Sequence, residues 1–280
     1  MTNNLKVAAV TFTRLLFKKT SQLLLNLNDL IYFLIVLVES SFLKIKSINT
    51  KFKVITASDS SHFKSLCQLL DSLTIYCRLD QIVLYDLGLT NKEVLDISNR
   101  YPFVKTIKFN FEEYPKHVNL KERDAGAYAW KPIIIYNEYQ RDKLPIIWMD
   151  AGNIVTKNIQ FLKRYIIKKK FYSPYSSGNI QKWTHPDTLL SLEFPDKYLK
   201  KRNLNAALIG LVQDKKIYNL LQNWYTLALK KEIIIPDGSS KSNHRWDQSL
   251  LTLLFYIKFN FFFKIKTYKL WGVDIQKDID

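Results

Sequence analysis

Glycine and cysteine are scarce in this chain of 280 residues, and each scarcity excludes a class of protein. Seven glycines in 280 residues are far fewer than the usual share of about 7% would give, which excludes collagen-like and glycine-linker designs. Two cysteines, Cys67 and Cys77, are too few for a disulfide framework or a cysteine-based zinc site. Both lie in stretches typical of a helix and its end, so we expect reduced, packed side chains, as in a cytosolic protein.

Several familiar motifs are also missing. The sequence contains no GxGxxG, GxxxxGK[ST], GxSxG or HExxH pattern, which argues against dehydrogenase, P-loop, serine hydrolase and zincin chemistry. Helix-turn-helix and zinc-finger patterns are absent as well, so we expect no specific nucleic-acid partner.

Acidic residues are few beside basic ones. Lys and Arg number 42 against 25 Asp and Glu, and the formal net charge is +17. Such a chain is attracted to polyanions, which include nucleic acid, anionic lipid and phosphorylated ligands. A hydrophobic share of 47% excludes intrinsic disorder. A basic nucleic-acid-binding protein is therefore one alternative reading of the composition.

The first fifty residues lack an apolar run long enough to span a membrane. The longest run, Leu30 to Val38, has nine residues, whereas a spanning helix needs about 20. Lysines flank it at Lys18, Lys19, Lys44 and Lys46. Three interpretations stay open: a helix on an anionic membrane surface, a helix packed on the protein, and a true span. We expect residues 1–50 to be a helical extension, residues 51–280 the main domain, and the protein to be cytoplasmic or peripheral at a membrane.

Strands and helices alternate from residue 51 onwards. Strands are predicted at 51–58, 80–85, 103–109 and 144–150, with helices at 62–77, 91–99 and 132–142 between them. Thr90 and Glu93 form a capping box. This order predicts a mostly parallel α/β sheet flanked by helices, which binds ligands at the carboxyl ends of its strands. Residues 56–60, 86–88 and 150–153 should therefore share one rim.

Four segments carry residues that could do chemistry. An apolar strand ends at Asp150, whose carboxylate could hold a divalent metal or simply cap a turn. Asp247 stands at a helix start, as a functional carboxylate or as a helix cap. Lys131 lies at the start of another helix, where it could meet a phosphate or stay solvated. Asn203 and Asn205 precede a predicted strand over 204–212.

In this order the segments resemble a GT-A glycosyltransferase, the nucleotide-diphospho-sugar transferase fold. The resemblance rests on VITASDSSHF, IVLYDLGL, YAWKP, WMDAGNIV, RNLNAALIGL and WDQSLLTLLFY, within about residues 52–260. YDLGL, YPKHV, YAWKP and WMDAG are most similar to an uncharacterised GT-A-like domain family that is well represented in nematodes. The N-A and D-Q segments resemble glycosyltransferase family eight.

The resemblance implies an enzyme that moves a hexose from a nucleoside-diphosphate sugar to an acceptor hydroxyl, with retention at the anomeric carbon. The acceptor would be a glycan, a lipid-linked sugar or a protein, as in surface polysaccharide synthesis. The implied catalytic residues are Asn205, Asp247 and Gln248. The implied donor-binding residues are Thr56, Ala57, Asp86, Lys131, Asp150, Ala151 and Arg245.

One departure bears on the cofactor. Where the family's DxD metal motif has its second aspartate, this chain has Gly152, and the family-eight His-x-x-Gly-x-Lys signature is absent from the C-terminus. Asp150 is then the one predicted ligand for Mn²⁺ or Mg²⁺, with Asn153 nearby. The alternative is that Lys131, Arg123 or Arg245 neutralises the diphosphate in place of a metal. A catalytically inactive GT-A-fold binding protein is the second alternative.

Overall fold

The computed structural model describes residues 50–77, 80–258 and 271–280, and five helical positions before them: Leu27, Leu30, Ile31, Leu34 and Val38. The rest of the predicted N-terminal extension lies outside these residues. The strands are β1 Lys53–Asp59, β2 Gln81–Gly88, β3 Val104–Lys108, β4 Ile146–Met149, β5 Ile154–Val155, β6 Phe171–Tyr172, β7 Tyr175–Asn179, β8 Arg202–Leu204, β9 Leu208–Leu211 and β10 Val273–Asp274. The helices are α1 Phe63–Tyr76, α2 Asn91–Arg100, α3 Trp130–Arg141, α4 Gln160–Lys169, α5 Ile180–Trp183, α6 Pro186–Ser191, α7 Lys215–Ala228, α8 Lys231–Ile234 and α9 Trp246–Lys258.

The central sheet has the strand order β3-β2-β1-β4-β9-β6. The first four strands are parallel, as predicted, and β9 and β6 add antiparallel pairings at one side. Two antiparallel pairs, β5 with β10 and β7 with β8, lie apart from it. The predicted fold class, a mostly parallel sheet flanked by helices, is confirmed.

Helices cover both faces of the sheet because apolar side chains alternate along its strands. Val54 of β1 belongs to a buried apolar cluster with residues of α1, α2 and α4, whereas its neighbour Ile55 belongs to a second cluster with residues of α3, α7 and α9. The free Cys67 and Cys77 are both buried, as the sequence predicts. Thr90 and Glu93 form the expected capping box at α2.

Most predicted boundaries differ from the structure by one to three residues, and two of the differences bear on the site. The predicted strand over 204–212 is divided into β8 and β9, and residues 205–207 between them face the carboxyl end of β4. The helix predicted to begin at Pro132 begins two residues earlier, at Trp130. As a result, Asn205 lies between two strands and Lys131 lies within a helix.

Residues 124–128 form a left-handed turn beside the end of β1. Five consecutive residues have φ between +51° and +66°, although only Gly126 among them lacks a Cβ atom. Each of the others costs about 1–2 kcal/mol in this conformation. The turn is held by hydrogen bonds from Ala127 N to Asp124 O (3.1 Å) and from Ala129 N to Gly126 O (2.9 Å). Such strain persists only where surrounding structure fixes it, and it commonly marks a functional site.

Within the described part of the chain, no helix has the length and apolarity that a membrane crossing requires.

We expect Gly126→Ala to lower the free energy of unfolding by about 2 kcal/mol or more. Its new Cβ would lie 2.2 Å from Val118 O and 2.9 Å from Asn119 O, which are backbone atoms that cannot easily move. Ala125→Gly is the matched control, because it relieves a left-handed alanine and should leave stability unchanged or raised. Urea denaturation measures both. Wild-type stability of Gly126→Ala would contradict the close packing of this turn.

Candidate functional site

A cleft of about 380 Å³ opens at the carboxyl ends of β1 and β4. It brings together most of the residues predicted from the sequence: Ala57, Lys131, Asp150, Ala151, Asn205, Arg245, Asp247 and Gln248. Ala125 and Tyr128 of the left-handed turn also line it. Residues that are far apart in the sequence therefore meet on one surface.

The Lys131 ammonium lies between two carboxylates in the wall of this cleft. Its Nζ is 2.9 Å from Asp150 Oδ1 and 3.5 Å from Asp247 Oδ2, and it donates a hydrogen bond to Ala206 O at 3.4 Å. Lys131 is only 4% exposed. The interaction joins the first turn of α3, the residue after β4 and the first turn of α9.

The surroundings of Lys131 keep it charged. Burial alone lowers the pKa of this ammonium, but the charges of Asp150 and Asp247 raise it more, and the net pKa is above the usual value. The rings of Tyr128, Trp130 and Trp148 lie about 6 Å from Nζ, within range of cation–π attraction. Lys131 is thus a permanent internal cation with its partners in place.

Asp247 is a buried carboxylate and not a helix cap. It lies within α9, and its Oδ2 faces Lys131 without a hydrogen bond from any described residue. Burial raises its pKa to about 6. Trp224 Nε1 holds the backbone by donating to Asp247 O at 2.9 Å. The carboxylate is therefore in an energetically unfavourable position, which makes Asp247 a candidate functional residue.

Asn205 and Gln248 present amide groups at the edge of the cleft. Asn205 Oδ1 accepts a hydrogen bond from Ala207 N at 2.9 Å, and Gln248 Oε1 accepts one from Ala206 N at 3.3 Å. In the described residues no group accepts a hydrogen bond from either amide nitrogen. The oxygens are fixed by the backbone, which leaves the N–H groups for a ligand.

The C-terminal tail brings in a carboxylate that sequence reasoning missed. A Cβ atom added at Gly152 would lie 2.2 Å from Asp278 Oδ1, so this carboxylate occupies the space that a side chain at 152 would take. Lys277 N donates to Gly152 O at 2.6 Å and fixes the tail there. Next to it, the Oδ1 atom of Asn153 is buried and accepts no hydrogen bond from the residues that the structure describes.

Thr56 and Asp86 do not line the cleft, contrary to the sequence expectation. Side chains alternate along a strand, and both residues lie on the opposite face from Ala57 and Leu87, which do line it. The Asp86 carboxylate instead accepts hydrogen bonds from Gly88 N and Leu89 N and pairs with Lys108 at 2.9 Å. Its role is to close the turn after β2.

Comparisons with known proteins agree with this fold. The bifunctional glycosyltransferase WbbM superposes with a TM-score of 0.53 at 12% identity, over 76% of this chain and 39% of that one. The galactosyltransferase LgtC gives 0.48 at 13% identity, over 73% and 70% of the two chains. The mannosyltransferase Ktr4p of S. cerevisiae gives 0.48 at 10% identity, over 73% and 65%. The WbbM likeness shows a GT-A fold, and this chain spans about two fifths of that protein.

Comparison of the sequence itself gives less. A family described as a protein of unknown function, DUF1647, matches residues 22–136, which is less than half of the chain. No curated protein matches.

The raised pKa of Asp247 predicts a pH-dependent stability. Between pH of about 4 and 6 the unfolded chain ionises Asp247 while the folded chain keeps it protonated, so rising pH costs stability. The free energy of unfolding falls by on the order of 3 kcal/mol over this range, and Asp247→Asn should abolish this pH dependence. We expect the variant to gain stability relative to wild type as the pH rises from 4 to 7 in urea titrations. Parallel curves for the two proteins would contradict a buried, protonatable Asp247.

Proposed function

We propose that this protein is a glycosyltransferase that moves a hexose from a nucleoside-diphosphate sugar to an acceptor hydroxyl. The observation that carries the proposal is the Lys131 ammonium held between Asp150 and Asp247, in the wall of a cleft at the strand ends of a GT-A fold. Open α/β sheets bind ligands at this edge. The fold alone does not identify an activity, so the proposal depends on the charged residues at the cleft.

The charge of the cleft bears on how a diphosphate would bind. Of the residues that the structure describes, four acidic side chains line it against three basic ones: Asp59, Asp150, Asp247 and Asp278, with Lys131, Lys241 and Arg245. Its formal charge is therefore −1, in a protein of net charge +17. The lining itself therefore supplies no excess of positive charge for a diphosphate, and a further cation bound with the diphosphate would supply it.

The residues around Gly152 fit such a cation. The carboxylates of Asp150 and Asp278 and the unpartnered oxygen of Asn153 are the oxygen ligands that Mg²⁺ and Mn²⁺ prefer. No three His, Cys, Asp or Glu side chains converge in the described residues, so the diphosphate oxygens would complete the coordination. Bound there, the ion would stabilise negative charge on the leaving diphosphate.

The remaining side chains would bind and orient the sugar. Lys131 is a positioning residue, because its ammonium is committed to Asp150 and Asp247 and fixes both carboxylates. Asp247 would face the transferred sugar, while the amide N–H groups of Asn205 and Gln248 would bind hydroxyls. Ala57 and Ala151 would contact the donor, and Arg245 would lie at its far end. Retention at the anomeric carbon is part of the proposal by resemblance to family eight.

We expect a nucleotide sugar to raise the melting temperature in the presence of Mn²⁺, because a ligand of the native state stabilises it. A screen of UDP- and GDP-sugars with and without Mn²⁺ tests the proposal. Asp150→Ala should keep the fold and lose both turnover and the Mn²⁺-dependent shift. Wild-type turnover in this variant would mean that Asp150 is only a turn residue. If no nucleotide sugar raises the melting temperature and the protein instead binds random DNA with a steep salt dependence, a nucleic-acid-binding protein would be favoured.

We expect Asp278→Asn to weaken Mn²⁺-dependent UDP binding about tenfold, since it removes one of two carboxylates. Asp274→Asn is the matched control, because Asp274 lies on the same tail outside the cleft. Isothermal titration of UDP with and without Mn²⁺ measures both variants. Equal Mn²⁺-dependent affinities for Asp278→Asn and wild type would remove the tail from the metal site.

We also propose that the N-terminal segment binds an anionic membrane surface. The described positions Leu27, Leu30, Ile31, Leu34 and Val38 are helical, recur on one helix face and are 43–53% exposed. The flanking lysines of the sequence add attraction to anionic lipid. A cytoplasmic, peripheral location is the setting that this proposal implies.

Leu30→Glu with Leu34→Glu should abolish flotation with phosphatidylserine-containing liposomes, because two charges on the apolar face oppose insertion. Ile75→Glu is the control, since Ile75 is an exposed apolar residue of α1 outside the segment. Removal of residues 1–48 should have the same effect as the double variant. Unchanged flotation in both would exclude this helix as the membrane contact.

A further inference from the structure

A second cavity of about 320 Å³ adjoins the cleft. The two share Asn205, Arg245, Gln248 and Gln276, which form the boundary between them. On its other side the second cavity is lined by Tyr175, Ser176 and Ser177 of β7. A ligand there would reach the hydroxyl-binding amides from the side opposite the proposed donor.

The two cavities differ in charge. Among the described residues, the cleft has four carboxylates in its lining, whereas the second cavity has none. In that part of the chain, Arg245 is the one charged residue that lines it, and the other polar side chains are hydroxyls and amides. An anionic ligand that brings no metal cation would therefore be favoured by the adjoining cavity over the cleft.

The Arg245 guanidinium is held in place without an acidic partner. It stacks on the ring of Trp183, with Cζ 4.1 Å from the ring centroid, and forms no ion pair with any described residue. Trp183 is fixed in turn, because its Nε1 donates to Ser177 O at 2.6 Å. Gly178 has φ +82°, and a Cβ there would lie 2.3 Å from that Nε1. The cation is thus preorganised, and a ligand need not displace a carboxylate to reach it.

We propose that the second cavity binds an acidic saccharide as the acceptor, with its anionic group on Arg245. Guanidinium pairs bidentately with carboxylate, sulfate or phosphate, while Ser176, Ser177 and the shared amides suit sugar hydroxyls. The reacting hydroxyl would then point past Gln248 into the cleft. This inference rests on the proposed glycosyltransferase function, and it moves Arg245 from the donor to the acceptor.

The test compares two probes that differ only in the anionic group, 4-nitrophenyl β-D-glucuronide and 4-nitrophenyl β-D-glucoside. Binding to the full chain, saturated with UDP and Mn²⁺, is measured by isothermal titration at low salt. We expect the glucuronide to bind at least tenfold more tightly, and Arg245→Gln to bring the two affinities together. Arg245→Lys should keep part of the preference. A 6-sulfated glucoside shows whether sulfate serves as well as carboxylate.

Lys241→Gln is the matched control, because Lys241 lines the cleft but not the second cavity. It should preserve the preference for the glucuronide. Equal affinity of wild type for the two glycosides, or an unchanged preference in Arg245→Gln, would overturn the inference. UDP affinity is measured separately in each variant, so a failure of nucleotide binding identifies a failure of the proposed function instead.

Discussion

The position of one buried ammonium determines the geometry of this site. Lys131 lies in the first turn of α3, and its ammonium contacts the carboxylate of Asp150, directly after β4, and that of Asp247, in α9. Removing the cation would leave two carboxylates facing each other in a largely buried wall, which costs several kcal/mol. One cation does not fully compensate two anions, however. The uncompensated negative charge is that of Asp247. Burial raises the pKa of its carboxyl group to about 6, so the ionised form lowers the stability of the folded state.

Residue type and order were sufficient to locate the cleft but not to orient every side chain in it. Asp150 ends an apolar strand and Lys131 starts an apolar helix, so both could be placed on the rim from periodicity alone. Thr56 and Asp86 also stand near strand ends, but a shift of one position reverses the face of a strand. The division of residues 204–212 at Asn205 depends on contacts with β4 and β7, which local propensity does not include.

The C-terminal tail shows a limit of a different kind. Asp278 meets Gly152 across more than a hundred residues of sequence, and no spacing pattern links the two positions. The tail is fixed by β10 against β5, by Lys277 N on Gly152 O, and by Asp280, whose carboxylate accepts from Lys64 N at the start of α1. In the sequence alone, Gly152 in place of the second aspartate of the DxD motif suggests that a metal ligand has been lost. In the fold, the same gap is the space that another carboxylate fills.

The distribution of charge separates two explanations of the basic composition. If the net charge of +17 served the donor, basic side chains should dominate the cleft, but acidic ones outnumber them there by four to three. The excess of Lys and Arg therefore lies outside the cleft, and residues 161–202 alone contain ten of them. Charge on an outer surface acts on large anionic partners over about 10 Å, the range of electrostatic attraction at ordinary salt. The acidic acceptor proposed at Arg245 and the anionic membrane proposed for the N-terminal helix are both partners of the kind that such a basic surface attracts, whereas the acidic lining of the cleft suits a donor that is bound together with a metal cation.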